Sequence, residues 1–252
     1  MKILSYLKLM RIKHYFKNLL IFLPLIFSMS FYSLENDIKT LIGFILFSLV
    51  CSMVYIINDI NDIEKDKKHP RKCKRPLASG EVTKKEAYIL LAILAIIVIC
   101  GSILMNTGIY SSIILVVYLI LNILYSKFLK NIPIIDVICL VTGFVLRVVY
   151  GASIIDVEVS NWLYLTIISF SFYLALGKRR NELQAGADTR AVLKYYNKDL
   201  LDKNMYMFLT LMIVFYSMWC VDASNIVKFD NKLIFTVPIL MIICMKYSMN
   251  IE

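Results

Sequence analysis

The sequence has few helix-breaking residues and little charge. Its 252 residues include 8 Gly and 5 Pro, and only 18% are charged. A soluble domain is usually about half apolar, whereas 60% of this chain is hydrophobic and its mean hydropathy is +0.72. These values exclude a disordered chain, a collagen-like chain and a small disulfide scaffold. Long apolar runs that recur from residue 19 to residue 249 indicate a membrane protein instead.

The sequence also has no grouped cysteines. Its six cysteines stand singly, and no two of them have the spacing of a metal site or a redox pair. Five of the six lie within apolar stretches. We therefore interpret the cysteines as small core residues.

Eight apolar stretches predict eight membrane-spanning helices. A helix needs about 20 apolar residues to cross the hydrocarbon core, so eight spans with short loops use nearly the whole chain. The period-two alternation that a membrane strand requires is absent. We therefore predict an all-α fold, a polytopic helix bundle that forms a single integral-membrane domain over residues 1–252. The predicted spans lie near residues 18–34, 40–57, 87–105, 109–125, 133–152, 162–177, 205–221 and 232–249.

The distribution of basic residues predicts the orientation. Most of the 28 Lys and Arg residues lie in the N-terminal segment and in the loops after the second, fourth and sixth predicted spans. The positive-inside rule places these segments in the cytoplasm, as expected for a bacterial-type inner membrane. Topology and anionic lipid headgroups account for most of the net charge of +10, so no nucleic-acid partner is needed.

An acidic segment that topology does not require follows the second predicted span. The segment reads NDINDIEKD, residues 58–66, and its three aspartates are spaced three and four apart. On a helix Asp59, Asp62 and Asp66 would share one face, with Asn58 at its edge. Carboxylates so close together repel one another unless a cation lies between them, and an oxygen-only ligand set suits Mg²⁺. The alternative is a solvated helix end whose acids balance nearby lysines.

The next segment, residues 67–83, is strongly basic. Its prolines predict a loop folded beside the aspartates rather than a helix. Lys72, Lys74 and Arg75 are candidates to contact phosphate oxygens. His69 fits a hydrogen-bonding loop residue better than a general base.

These two segments together resemble the first aspartate-rich motif of the UbiA superfamily of intramembrane prenyltransferases. The shared pattern is NDxxDxxxD, then HP, then RP and a glycine, after the second predicted span. The resemblance covers the whole chain, including the helix count. It implies helices around a central cavity open to the cytoplasmic side, and aspartate motifs that bind a polyprenyl diphosphate through Mg²⁺. Members usually have nine helices, so either this chain is truncated before a ninth helix or that helix is dispensable.

The chain departs from the superfamily at the second aspartate-rich motif, expected after the sixth span. Residues 176–190 read LGKRRNELQAGADTR, with Lys178, Arg179 and Arg180 where acids are expected. Only Glu182 and Asp188 remain acidic there. The inverted charge predicts that this half of the site holds a phosphate directly, without a metal.

That departure is similar to the decaprenyl-phosphate phosphoribosyltransferase branch of the superfamily. The resemblance implies Mg²⁺-dependent transfer of a 5-phosphoribosyl group from phosphoribosyl diphosphate to a polyprenyl phosphate, releasing diphosphate, for cell-envelope polysaccharide precursors. Two alternatives stay open: transfer of a polyprenyl chain to an aromatic acceptor and, less favoured, a membrane transporter. The further segments that carry the resemblance are RIKHYFKNLLIFLPLIF at 11–27, YSKFLKNIPIIDV at 125–137, GFVLRVVYGA at 143–152 and LGKRRNEL at 176–183.

Four further candidate residues lie at or inside predicted spans. A charge at Arg147 is costly unless it faces a cavity or a partner, so it either contacts a phosphate or pairs with an acid such as Asp136. Asp136 is a candidate to bind a ribose hydroxyl or a second metal, or it stabilises the start of the fifth span. Snorkelling explains Lys17, although the resemblance places both Lys17 and Asn18 beside a lipid phosphate.

The complete prediction is an enzyme with one Mg²⁺-dependent site. Its expected partners are phosphoribosyl diphosphate, a polyprenyl phosphate and membrane lipids, and the formation of a homo-oligomer is left open. The candidate catalytic residues are Asp59, Asp62 and Asp136, and the candidate metal ligands are Asp59, Asp62 and Asp66. The candidate substrate-binding residues are Lys17, Asn18, Asn58, Lys72, Arg75, Tyr125, Lys127, Lys130, Arg147, Lys178, Arg179 and Arg180.

Overall fold

The structure is a computed structural model that describes residues 2–106, 108–184, 191–230 and 232–251. Every regular element in these ranges is a helix, as the sequence predicts. The chain divides into two compact units. The first comprises Met1–Lys127 and Leu146–Val157, and the second comprises Phe128–Val145 and Glu158–Glu252.

The first unit is organised around one long helix, α3 (Leu34–Asn61), which packs against most of its other elements. Phe47, Val50 and Val54 on this helix are buried in an apolar core. The neighbouring elements are α1 (Lys2–Met10), a 3₁₀ segment (Ile12–Phe22), α2 (Leu23–Phe27), α4 (Ile63–Lys67), α5 (Lys84–Leu104), α6 (Gly108–Lys127) and residues 146–154 of α7 (Ile135–Ile154).

Local sequence signals explain where these helices begin. The Ser33 hydroxyl accepts a hydrogen bond from the Asn36 N–H at the start of α3. Thr83 and Glu86 form a reciprocal capping box at the start of α5. Glu86 also forms an ion pair with Lys2 at 2.8 Å, so the first helix is attached to the start of α5.

One close approach fixes how α7 packs within the first unit. A Cβ at Gly151 would collide with the backbone carbonyl of Ile21. Only a glycine therefore lets α7 lie against the 3₁₀ segment at this point.

The second unit is built on an antiparallel pair, α8 (Asn161–Gln184) and α9 (Lys198–Cys220). Phe172 and Phe208 stack between them with ring centroids 4.4 Å apart. Residues 135–145 of α7, together with α10 (Ala223–Phe229) and α11 (Thr236–Ile251), complete the unit. The start of α7 is unusual, because the β-branched residue Ile134 has a left-handed φ of 69°.

Five helices in the described ranges are long and apolar enough to cross a membrane, or six if one bent pair counts as a span. These are counts by length and composition, and the predicted total of eight stays a prediction. The predicted span at 162–177 lies in α8, which is not among the five. The five are Leu34–Asn61, Lys84–Leu104, Gly108–Lys127, Ile135–Ile154 and Lys232–Met249, and the pair, bent by 64°, is Lys198–Cys220 with Ala223–Phe229.

The prediction of one continuous helix over 18–34 is wrong. The 3₁₀ segment passes into the short helix α2, and the left-handed φ of 61° at Met29 then ends the helical path before α3. An apolar run fixes the preference for lipid or core, but it does not fix the helix type or its continuity.

Candidate active site

The three aspartates of the acidic segment do not share one helical face, contrary to the prediction. The long helix α3 ends at Asn61, and Asp62 leaves helical geometry with φ −102° and ψ 9° before α4 begins. The 3.6-residue period therefore no longer relates the three positions. Asp59 and Asp66 are each 3% exposed, whereas the Asp62 side chain is 34% exposed and forms an ion pair with Lys65 at 3.7 Å.

Two arginines hold the buried aspartates. One Arg75 nitrogen donates to Asp66 at 2.7 Å and to Asp59 at 3.1 Å. Arg11 donates to the same Asp59 oxygen at 2.6 Å, and its guanidinium lies 4.5 Å from the centre of the Tyr55 ring. The carboxylates thus lie close together because guanidinium charge offsets their repulsion. The prediction that the basic loop folds beside the aspartates is confirmed.

Arg11 is a site residue that the sequence did not single out. It lies 48 positions before Asp59, and its backbone has a left-handed φ of 54° between α1 and the 3₁₀ segment. No local spacing relates two residues so far apart in the chain. The only signal was that Arg11 belongs to a segment that resembles the branch.

The other residues of the basic loop are more exposed. Lys72 and Lys74 lie at the surface, on a short 3₁₀ turn. The His69 Nδ1 accepts the Arg71 backbone N–H at 3.1 Å, which confirms the prediction of a hydrogen-bonding loop residue. Asn58 is half-buried one residue before Asp59. The substrate-binding roles of Lys72 and Asn58 stay predictions.

The donor chemistry of this cluster fits a hard divalent cation. No group of three His, Cys, Asp or Glu side chains lies close enough to hold a metal in the described part of the chain. Mg²⁺, however, is usually bound by one or two carboxylates together with substrate phosphates. Asp59 and Asp66 supply two such carboxylates, already gathered around the positive charge of Arg75.

Arg147 lies in a buried polar centre of the first unit. Its Nε donates to the side-chain Oδ1 of Asn18 at 2.8 Å, and its terminal nitrogen donates to the Tyr118 hydroxyl at 2.8 Å. Asn18, only 1% exposed, also donates to Ser48 at 2.9 Å. The alternative in which Arg147 pairs with Asp136 is wrong, because the Asp136 carboxylate is bound to residues of the second unit.

Tyr118 was not identified from the sequence, where it is one of several tyrosines in an apolar helix. It orients the Arg147 guanidinium together with Asn18. The predicted lipid-phosphate role of Asn18 and Lys17 stays a prediction, with Asn18 buried and Lys17 half-buried.

Asp136 is the centre of a buried network in the second unit. Its carboxylate accepts from the Arg179 Nε at 2.5 Å and from the Tyr196 hydroxyl at 2.6 Å. Arg179 also donates to Glu182 at 2.8 Å, and the Tyr196 oxygen accepts the Ile134 N–H at 2.7 Å. Burial and the bond to Asp136 raise the pKa of Tyr196 to about 12, so this hydroxyl stays protonated at neutral pH.

The basic run in the last turns of α8 is therefore mostly engaged in ion pairs. Arg179 and Asp136 are each fully buried, and Arg180 pairs with Asp202 at 2.5 Å. Lys178 alone of the three basic residues is exposed. The inverted charge predicted that this run binds a phosphate directly. The charge of the run alone did not reveal that Asp136 pairs with Arg179 and that Asp202 pairs with Arg180. Asp188 lies outside the described residues, in the gap at 185–190.

The remaining candidates lie near the end of α6. Tyr125 is half-buried, Lys127 is the exposed last residue of the helix, and Lys130 lies on a short 3₁₀ turn, Leu129–Asn131. Their substrate-binding roles stay predictions.

Known proteins similar to this chain carry related names. It is 30% identical over 225 residues to the decaprenyl-phosphate phosphoribosyltransferase of Corynebacterium glutamicum, covering 87% of this chain and 68% of that protein. It is 28% identical to the decaprenyl-phosphate phosphoribosyltransferase of Mycolicibacterium smegmatis, covering 77% of this chain and 63% of that protein. The chain thus spans less than two thirds of the length of the second relative.

Structure and family comparisons agree on the fold. A UbiA homolog from Archaeoglobus fulgidus, solved bound to GPP and Mg²⁺, matches with a TM-score of 0.73 at 18% identity, covering 97% of this chain and 86% of that one. The model of the UbiA prenyltransferase family matches residues 20–247. This match and the all-helical, strongly apolar fold establish that the chain is an integral-membrane member of the UbiA prenyltransferase family.

Proposed function

We propose that the protein transfers a 5-phosphoribosyl group from phosphoribosyl diphosphate to a polyprenyl phosphate and releases diphosphate. The observation that carries this proposal is the Asp59–Arg75–Asp66 cluster, in which two buried carboxylates contact one guanidinium. The names of the Corynebacterium and Mycolicibacterium relatives support the choice of substrates. The product would serve the synthesis of cell-envelope polysaccharide precursors.

Mg²⁺ is the proposed cofactor. When bound, it would be held by Asp59 and Asp66, with Asp62 as the third proposed ligand, and would neutralise charge on the leaving diphosphate. The A. fulgidus structure with GPP and Mg²⁺ supports a divalent ion in this family.

The arginines of the cluster have a role in binding the donor. One Arg75 nitrogen donates to two carboxylates, and a diphosphate offers anionic oxygens that a guanidinium can bind in the same way. Because Arg11 keeps a second positive charge on Asp59, the carboxylate stays compensated when Arg75 turns toward phosphate. Lys178 stays a proposed substrate-binding residue of the second unit.

The reaction needs no strong general base. The bond from ribose C1 to the diphosphate oxygen breaks, and that oxygen keeps the electron pair. A phosphate oxygen of the lipid, already anionic at neutral pH, forms the new bond to C1. The sugar passes through an oxocarbenium-like state, so stabilisation of the leaving group dominates the barrier.

Transfer of label tests the proposal. Purified protein with Mg²⁺, a polyprenyl phosphate and ribose-labelled phosphoribosyl diphosphate should place the label in the lipid fraction. Asp59→Asn should lower that rate by at least about 100-fold. It removes a proposed ligand of the ion that neutralises charge on the leaving diphosphate. The matched control is Glu35→Gln, an exposed acid at the opposite end of the same helix.

The same assay separates the alternatives. Failure to label the lipid, together with prenylation of an aromatic acid from a polyprenyl diphosphate, would overturn the proposal in favour of aromatic prenyl transfer. Turnover in detergent, where no compartments exist, would exclude a transporter.

A further inference from the structure

A groove of about 430 Å³ lies along the N-terminal segment of the first unit. Its volume falls in the range of small-molecule sites. Every lining side chain is either apolar or basic in character, which is the composition that an amphiphile with an anionic head requires. The lining residues are Leu4, Leu7, Lys8, Arg11, Ile12, Lys13 and His14.

The groove lies on the exposed face of α1, whose opposite face packs against the rest of the first unit. Leu9 of α1 is fully buried, and Ser5 donates to Glu81 at 2.6 Å. On the other face, Leu4 and Leu7 are 59% and 41% exposed, and Lys8 is exposed beside them. An open side that is apolar and basic is typical of helices that bind at a membrane interface.

The groove shares a wall with the acidic cluster. Arg11 lines the groove and donates to Asp59 at 2.6 Å. Its left-handed backbone ends α1 and turns the chain so that Lys13 follows on the same groove. Only the Arg11 guanidinium therefore separates a phosphate bound in the groove from Asp59 of the proposed catalytic site.

We propose that this groove binds the phosphate head and first isoprenyl units of the lipid acceptor, an inference that rests on the proposed function. Lys8 and Lys13 supply the charge for the head, beside an Arg11 that stays paired with Asp59, while Leu4 and Leu7 contact the chain. A phosphate monoester carries a charge of about −1.5 to −2, more than the single charge of a phospholipid diester. The two exposed lysines of the groove match this doubly charged monoester better than the bulk lipid.

Binding of farnesyl phosphate to the full chain in detergent tests this inference without the donor. The double variant Lys8→Gln/Lys13→Gln should weaken binding by about tenfold, since two partly exposed charge contacts are lost. Lys84→Gln/Lys85→Gln, which removes two exposed lysines of the same unit outside the groove, should bind like the parent protein. In transfer assays the groove variant should raise the KM for polyprenyl phosphate and leave the KM for phosphoribosyl diphosphate unchanged.

The outcomes distinguish the inference from the function beneath it. Equal farnesyl phosphate binding by the groove and control variants, with phosphoribosyl transfer intact, would overturn the groove assignment alone. Equal competition by phosphatidylglycerol would also overturn it, by making the groove a site for bulk anionic lipid. No transfer and no farnesyl phosphate binding by the parent protein would overturn the proposed function and the inference together.

Discussion

Arg75 lies between Asp59 and Asp66, where a bound divalent ion would have to make its contacts. The guanidinium and the ion therefore compete for the same oxygens. Arg75→Gln should raise the affinity of the purified protein for Mn²⁺ by about tenfold, because one charge-assisted competitor is removed. Free Mn²⁺ measured by electron paramagnetic resonance during a titration gives the affinity directly.

Lys74→Gln is the matched control for this change. It removes the same charge from the same loop, but Lys74 is exposed and lies on the adjoining turn. Equal Mn²⁺ affinity in the two variants would show that Arg75 does not compete with the ion.

Asp136 neutralises Arg179 in a pair from which solvent is excluded. Asp136→Asn leaves the guanidinium buried with a weaker partner, so the free energy of unfolding should fall by about 3–5 kcal/mol. Thermal unfolding in detergent measures the loss. The more exposed Arg180–Asp202 pair is the comparison, and Asp202→Asn should cost less. Similar losses in the two variants would contradict a special role for burial.

At the scale of single residues, the sequence indicated which side chains are candidates for the site, but not which side chains contact one another. The motif made Asp59 and Asp66 candidates, and the structure brings them together. It could not indicate Arg11, because residue types and local spacing carry no information on contacts across 48 positions. For the same reason Arg179 was predicted to bind phosphate, because its partner Asp136 lies 43 positions away in the sequence.

The packing of α7 on the 3₁₀ segment depends on one glycine. In Gly151→Ala the new methyl group meets the Ile21 carbonyl, which belongs to the backbone and cannot rotate away. The variant should lose about 1–3 kcal/mol of stability through overpacking, measured as a lower melting temperature. Gly101→Ala is milder, because the atom it meets is the flexible end of the Leu46 side chain. An equal loss in both variants would refute the backbone argument.

At the scale of elements, hydrophobic runs predicted helices well where one run equals one helix. The stretches at 40–57, 87–105 and 109–125 all fall within or nearly within single helices, α3, α5 and α6. The stretch at 18–34 failed because left-handed backbone at Met29 interrupts it. The acidic motif failed in the same way at Asp62, where α3 ends within the motif. Neither Met29 nor Asp62 is a Gly or a Pro, so the strongest sequence signals of a helix break are missing at these two positions.

Cysteine labelling tests the orientation of the whole molecule. Cys73 lies half-exposed in the basic loop that the positive-inside rule places in the cytoplasm. A membrane-impermeant maleimide should label it in inside-out vesicles and not in right-side-out vesicles. Cys73→Ser should abolish the label, because four of the other cysteines are buried and Cys100 lies on the apolar helix α5. Labelling from the outside would invert the proposed topology.

The left-handed backbone at Ile134 identifies a position at which a substitution should stabilise the protein. Its side chain is 64% exposed, so little packing depends on it, while a β-branched residue is poorly suited to that conformation. Ile134→Gly should relieve about 1 kcal/mol of steric cost and lengthen the half-life of the protein on heating. An unchanged or shorter half-life would contradict this. A longer one would make the variant a practical starting point for crystallisation with both substrates.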